Sequence, residues 1–113
     1  MTLPEFKSSL SQDKPPDNLS ETLHALWYDA KGNLPDGKAG WNKAHQVAQD
    51  INDADGAWVH AYLHRKEGDK SNAQYWYSNA GRKFSNLTLE EEWEEISEAL
   101  IKKHFPTPTK GRN

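Results

Sequence analysis

The chain has 113 residues, a net charge of −3 and no cysteine, so disulfides, thiolate nucleophiles and thiolate metal ligands are excluded. It carries 14 Lys and Arg without a basic run, which argues against a nucleic-acid groove, and no stretch approaches the roughly 20 apolar residues of a membrane span. We therefore expect a cytoplasmic protein with no nucleic-acid or membrane partner, whose small core depends on five Trp, four Tyr and three Phe.

The N-terminal segment has two interpretations. Residues 1–17 are polar and include two adjacent prolines, which favours a polar arm. Leu3, Phe6 and Leu10 nevertheless follow helical spacing after Pro4, so a short helix docked on the domain is the alternative.

The first long helix has clear boundary signals. Asn18 and Glu21 are spaced as a capping box, and apolar residues then recur at helical spacing. This pattern predicts a helix from about Leu19 to Lys31, with Gly32 in the left-handed stop position.

A loop and three further helices follow. Residues 34–40 are rich in glycine and include a proline, which predicts a loop. An apolar stripe from Trp41 to Ile51 predicts the second helix, and two shorter segments of the same character predict the third and fourth. The residues that would cap or stop the third and fourth helices are Asp53 or Asp55, Gly68, Asp69 and Gly81.

A glutamate-rich helix closes the domain. Thr88 and Glu91 form a capping box, and the helix that follows carries an inner apolar stripe. That stripe is formed by Leu89, Trp93, Ile96 and Leu100. The outer, solvated face of this helix would carry Glu91, Glu92, Glu94, Glu95 and Glu98. Residues 106–113 are predicted to be a disordered tail.

The chain nearly repeats itself, because residues 23–32 are echoed by residues 59–68. The identical pairs are His24 with His60, Ala25 with Ala61, Gly32 with Gly68 and, further on, Ala44 with Ala73. The alanines fall within helices, where small side chains let two helices approach closely, and the glycines fall at the turns.

These positions resemble the tetratricopeptide and Sel1-like helical repeats. The residues that carry the resemblance are Ala61, Gly68, Asp69, Ala73, Tyr77 and Ala80, and the segment 73–80 is especially similar to the Sel1-like second helix. The resemblance spans roughly residues 19–81 and implies an all-α fold of two antiparallel helical hairpins. The C-terminal helix would cap them, which makes residues 18–105 a single helical-repeat domain.

The resemblance also implies a concave surface lined by the first helix of each unit. Trp58, Tyr62 and Arg65 would face it from the second unit and Asp29 from the first, and together they could hold a peptide or a small anion. The alternative is that Trp58 and Tyr62 belong to the core and that Arg65 pairs with Asp29 at the surface.

Two histidines suggest a second kind of site. His60 and His64 are four residues apart on one helix and project from the same face, and His45 or His24 could approach them as a third zinc ligand. Ala61 stands where a metallopeptidase motif needs glutamate, so the motif's general base is absent. The alternatives are histidines that hydrogen-bond across the helix pair or that contact a ligand.

Tyr75 lies among polar residues on its helix, so its ring should be at least partly exposed, either to a partner or simply to solvent.

Taken together, these patterns predict a noncatalytic module that binds a protein or peptide through Trp58, Tyr62, Arg65 and Asp29, with no catalytic residue, assigned metal ligand or cofactor. The alternative function is a small metal- or ligand-binding enzyme or sensor that uses His60 and His64. Self-association into a homo-oligomer is a third interpretation.

Overall fold

The computed structural model describes residues 1–32 and 38–105, and these residues form α-helices and connecting segments without a β-strand. The prediction of an all-α fold is confirmed. The helices are α1 (Leu3–Ser8), α2 (Glu21–Lys31), α3 (Lys38–Gln49), α4 (Ala54–Glu67), α5 (Lys70–Ala80) and α6 (Leu89–His104). Among the described residues, no helix combines the length and apolar character needed to cross a membrane.

Side-chain caps fix where most of these helices begin. Asp53, Asp69 and Thr88 each accept a hydrogen bond from the backbone N–H three residues later. This confirms the predicted caps Asp69 and Thr88 and selects Asp53 over the alternative Asp55. At the start of α2 the prediction was wrong by two residues. Ser20 rather than Asn18 is the cap, since its hydroxyl accepts the N–H of Leu23 at 3.3 Å.

The segment between α2 and α3 differs from the prediction. Residues 38–40 belong to α3 instead of a loop, and the predicted loop residues 34–37 lie outside the described part of the chain. Gly40 lies against the end of α2, where a Cβ atom on it would come within 2.3 Å of the Tyr28 carbonyl oxygen. Its amide donates to the Gly32 carbonyl at 3.0 Å. Gly40 is therefore a packing residue at a helix contact.

The helices pack largely in sequence order. Helix α2 packs on α3 and α4 packs on α5, while α3 contacts α4 and joins the two pairs. Helix α6 lies against both α2 and α4. These contacts fit the expected pair of hairpins with a final helix laid over them, and they place the core where α2, α4 and α6 meet. The predicted tail, residues 106–113, lies outside the described residues.

The N-terminal segment docks on this core. Phe6 of α1 is fully buried, and its ring stacks on Trp93 of α6 with 5.6 Å between the centroids. Ser9 directly follows α1, and its hydroxyl accepts a hydrogen bond from the indole N–H of Trp27 in α2 at 3.1 Å. Of the two interpretations left open by the sequence, the docked helix is the one that forms, because Phe6 buries a whole aromatic ring.

Candidate metal centre

The residues predicted to line a concave binding surface lie under α6. Trp58, Tyr62 and Asp29 are 3%, 2% and 2% exposed, and Arg65 is largely buried. The structure therefore places Trp58 and Tyr62 in the core, which was the alternative interpretation. Their role in binding a partner stays a prediction.

Glu92 explains why α6 covers this surface. Its fully buried carboxylate accepts hydrogen bonds from the Trp58 indole N–H at 3.2 Å, the Arg65 guanidinium at 2.8 Å and the Tyr77 hydroxyl at 2.6 Å. Arg65 also donates to the Leu87 carbonyl. The prediction that Glu92 belongs to a solvated outer face was wrong, because three donors from α4 and α5 compensate its burial.

Asp29 pairs with a different residue from the one expected. The Lys66 ammonium lies 3.0 Å from its carboxylate, whereas Arg65 is paired with Glu92, so the predicted Asp29–Arg65 pair was wrong. Burial raises the pKa of Asp29, and the charge of Lys66 opposes that rise. Burial and the neighbouring Asp29 carboxylate together raise the pKa of Tyr62. These polar groups thus bind one another beneath the surface.

Tyr75 is 59% exposed, which confirms the predicted exposure of its ring. The ring meets Trp76 edge to face, with 5.1 Å between the centroids. Contact with a partner through Tyr75 stays a prediction.

Three imidazoles converge where α3 packs on α4. His60 and His64 are one turn apart on α4, and His45 of α3 faces them, so that one ring nitrogen of each lies within 4.8 Å of the others. The Nε2 atoms of His45 and His60 are 3.0 Å apart. His60 and His64 are buried and His45 is half-buried, so the cluster reaches the surface on the α3 side.

Two tryptophans hold the rings in place. Trp41 stacks on His45 with 5.0 Å between the centroids, and Trp76 stacks on His60 at 4.0 Å. The Trp41 indole N–H donates to the Leu63 carbonyl at 2.8 Å, which fixes its ring against α4. The cluster therefore has rigid, largely apolar walls.

A carboxylate orients the third imidazole. Nδ1 of His64 lies 2.7 Å from the Glu67 carboxylate, one turn further along α4. When Nδ1 donates its proton to Glu67, Nε2 of His64 keeps a free lone pair. Carboxylates commonly orient metal-binding histidines in this way. Asp69 also lies within reach of His64 and Glu67.

The surroundings of the cluster favour the neutral imidazole form of His45 and His60. Burial, and then the proximity of His45 and His64, lower the pKa of His60 from 6.5 to about 4. Burial and the neighbouring His64 also lower the pKa of His45. Neutral imidazole is the form that binds a metal ion, so His45 and His60 are available as ligands at neutral pH.

The spacing of the nitrogens suits a tetrahedral ion. Zinc–nitrogen bonds of about 2.0–2.1 Å place two ligand nitrogens about 3.3 Å apart. The Nε2 atoms of His45 and His60 are close to this separation at 3.0 Å, and one ring nitrogen of His64 lies within 4.8 Å of both residues' ligand nitrogens. Of the two third ligands considered from the sequence, the structure brings in His45 and not His24. No sequence spacing distinguished them, because His45 reaches the cluster only through the packing of α3 on α4.

Comparison with models of protein families, with curated proteins and with solved structures finds no match to this chain.

Proposed function

We propose that this domain binds a divalent transition-metal ion, with Zn²⁺ as the best fit, through His45, His60 and His64. The observation that carries the proposal is the convergence of three imidazoles from two helices, with ring nitrogens within 4.8 Å of one another. This proposal takes up the alternative function left open by the sequence and, of the two third ligands considered there, selects His45.

Hydrogen bonds between the histidines do not by themselves explain why the fold brings three imidazoles together. Burying polar rings costs free energy unless each finds a partner. The single bond between His45 and His60 satisfies one nitrogen on each ring. A metal ion would satisfy the lone pairs of all three imidazoles at once.

The ligand set favours borderline metals. Imidazole suits Zn²⁺, Cu²⁺, Ni²⁺ and Co²⁺, whereas Mg²⁺ and Ca²⁺ prefer oxygen ligands. The chain has no cysteine, so the thiolate sites that select softer ions cannot form. Zn²⁺ accepts the tetrahedral geometry at which three imidazoles from two helices can meet.

The position of the site suggests a structural or sensing role within a scaffold of helical-repeat type. His45 belongs to the first helix pair, and His60 and His64 belong to the second. A bound ion would therefore link α3 to α4 and stabilise the packing of the two pairs, because metal that binds only the folded state adds its binding free energy to folding.

Calorimetric titration of the chelator-treated protein with ZnCl₂ tests the proposal. We expect one ion per chain and, at a free zinc concentration of about 100 Kd, a stabilisation of about 2.7 kcal/mol, which raises Tm by about 10 °C. His45→Ala should abolish stoichiometric binding, and the matched His24→Ala variant should bind as the unaltered protein does. Absence of stoichiometric binding, or equal binding by His45→Ala, would refute the proposal.

A further inference from the structure

The three histidines complete only part of a metal coordination sphere. Within residues 1–32 and 38–105, the group of nitrogens that lie within 4.8 Å of one another comprises His45, His60 and His64 and takes in no carboxylate. Glu67 and Asp69 approach His64 alone, and Glu67 is engaged with Nδ1 of that ring. Sites with three protein ligands commonly keep a fourth position for a ligand from solution.

The charge of the site favours an anion in that position. Three neutral imidazoles leave the double positive charge of the ion uncompensated, in surroundings made partly of the Trp41 and Trp76 rings. Coulombic attraction is strong where little water screens it. The Glu67 carboxylate, which acts on both His64 and His45, compensates at most one of these two charges.

The two tryptophan rings leave one side of the site open to solvent. Trp76 closes the side of His60, and Trp41 covers one face of His45, so the approach from solvent lies along the half-buried His45 edge.

We propose that the metal at His45, His60 and His64 binds one small anion from solution as an exchangeable fourth ligand. The inference rests on the proposed metal site. Its competitor is a closed site in which Glu67 leaves His64 and becomes the fourth ligand itself.

Visible spectroscopy of the Co²⁺-loaded protein separates these cases. Adding sodium azide, and in a second series sodium acetate, should shift the cobalt absorption band until one anion is bound per ion. His24→Ala should respond in the same way. Glu67→Gln should bind Co²⁺ more weakly, because His64 loses the carboxylate that orients its ring. At saturating Co²⁺ it should retain the azide response, because Glu67 is not a ligand in this proposal.

Three outcomes would contradict the inference, and they are distinguishable. A saturable cobalt spectrum that neither azide nor acetate alters would overturn the exchangeable ligand and leave the metal site standing. A spectrum that becomes azide-sensitive only in Glu67→Gln would assign the fourth position to Glu67. Failure of Co²⁺ and Zn²⁺ to bind at all would remove the metal site itself.

Discussion

At the scale of single residues, Glu92 joins three helices through one carboxylate. Trp58 and Arg65 of α4 and Tyr77 of α5 donate to it from beneath α6. Breaking a buried ion pair by removing one partner costs far more than breaking an exposed one, because the remaining charge stays buried without compensation. The packing of α6 therefore depends on Glu92 more than on any exposed glutamate of that helix.

We expect Glu92→Ala to lower the free energy of unfolding by about 3–5 kcal/mol, because Arg65 would lose its counter-charge and Tyr77 its acceptor. The matched variant is Glu98→Ala, on the exposed face of the same helix, which should change stability by less than about 0.5 kcal/mol. Urea denaturation followed by circular dichroism measures both. Equal midpoints for the two variants would show that the Glu92 network does not stabilise the fold.

The depressed pKa of His60 predicts how the metal-free protein responds to acid. Its pKa is about 4 in the folded protein and 6.5 ordinarily, so between these values the unfolded chain binds a proton that the folded chain does not. The free energy of unfolding should therefore fall as the pH decreases through this window, by about 2 kcal/mol at pH 5. His45, whose pKa is also lowered, acts in the same direction, and the Glu67 carboxylate opposes it.

Urea denaturation of the chelator-treated protein at pH 7, 6 and 5 measures this dependence. In His60→Gln the decrease between pH 7 and pH 5 should be visibly smaller, because the titrating ring is gone. An identical pH dependence in both proteins would show that His60 titrates normally in the folded state.

At the scale of helices, the sequence predicted the caps better than the packing. Asp69 and Thr88 were identified, and Asp53 was one of two candidates, because capping depends on a few neighbouring residues. The burial of Glu92 was missed, although a signal existed: it lies three residues after Leu89 and four before Ile96, in phase with the apolar stripe. A charge in that phase is a candidate for a buried, paired group.

The prediction of a loop at the start of α3 was wrong because glycine occurs both in turns and at close helix contacts. Gly40 is helical, and its α-carbon packs against the carbonyl end of α2. The sequence contains the glycine but not the partner backbone that makes it necessary, so residues 38–40 were assigned to a loop.

Gly40→Ala distinguishes the two roles. Helix propensity alone would stabilise the variant by about 1 kcal/mol, but the new Cβ would meet rigid backbone atoms of Tyr28 and Gly32. We expect a net loss of about 1–3 kcal/mol in thermal or urea unfolding. Gly68→Asn is the comparison, since Gly68 has a positive φ but open surroundings, and it should lose about 1 kcal/mol or less. A Gly40→Ala protein at least as stable as the unaltered chain would contradict the close contact.

At the scale of the whole molecule, α6 lies over the surface that the repeat resemblance left open for a ligand. The indole N–H of Trp93 in α6, the residue after Glu92, donates to the Leu26 carbonyl at 3.0 Å. Phe6 stacks on the Trp93 ring. Helices far apart in the sequence thus complete one core. Local patterns predict each helix but not which distant helix covers which surface, so the buried state of Trp58 and Tyr62 could only be one of two alternatives.

The histidine cluster shows the same limit. The spacing of His60 and His64 on α4 was visible in the sequence, and it correctly placed their rings on one face. The third imidazole comes from His45 because α3 packs beside α4, which is a property of the assembled fold. Helical periodicity therefore predicted the pairing of His60 with His64, whereas the selection of His45 depends on tertiary structure.

X-ray absorption at the zinc K edge, on protein loaded with one equivalent of Zn²⁺, tests the central claim most directly. The account predicts nitrogen ligands at about 2.0–2.1 Å and outer-sphere scattering from three imidazole rings, reduced in His45→Ala and unchanged in His24→Ala. A spectrum with no imidazole scattering, or one that His45→Ala leaves unchanged, would contradict a metal centre at His45, His60 and His64.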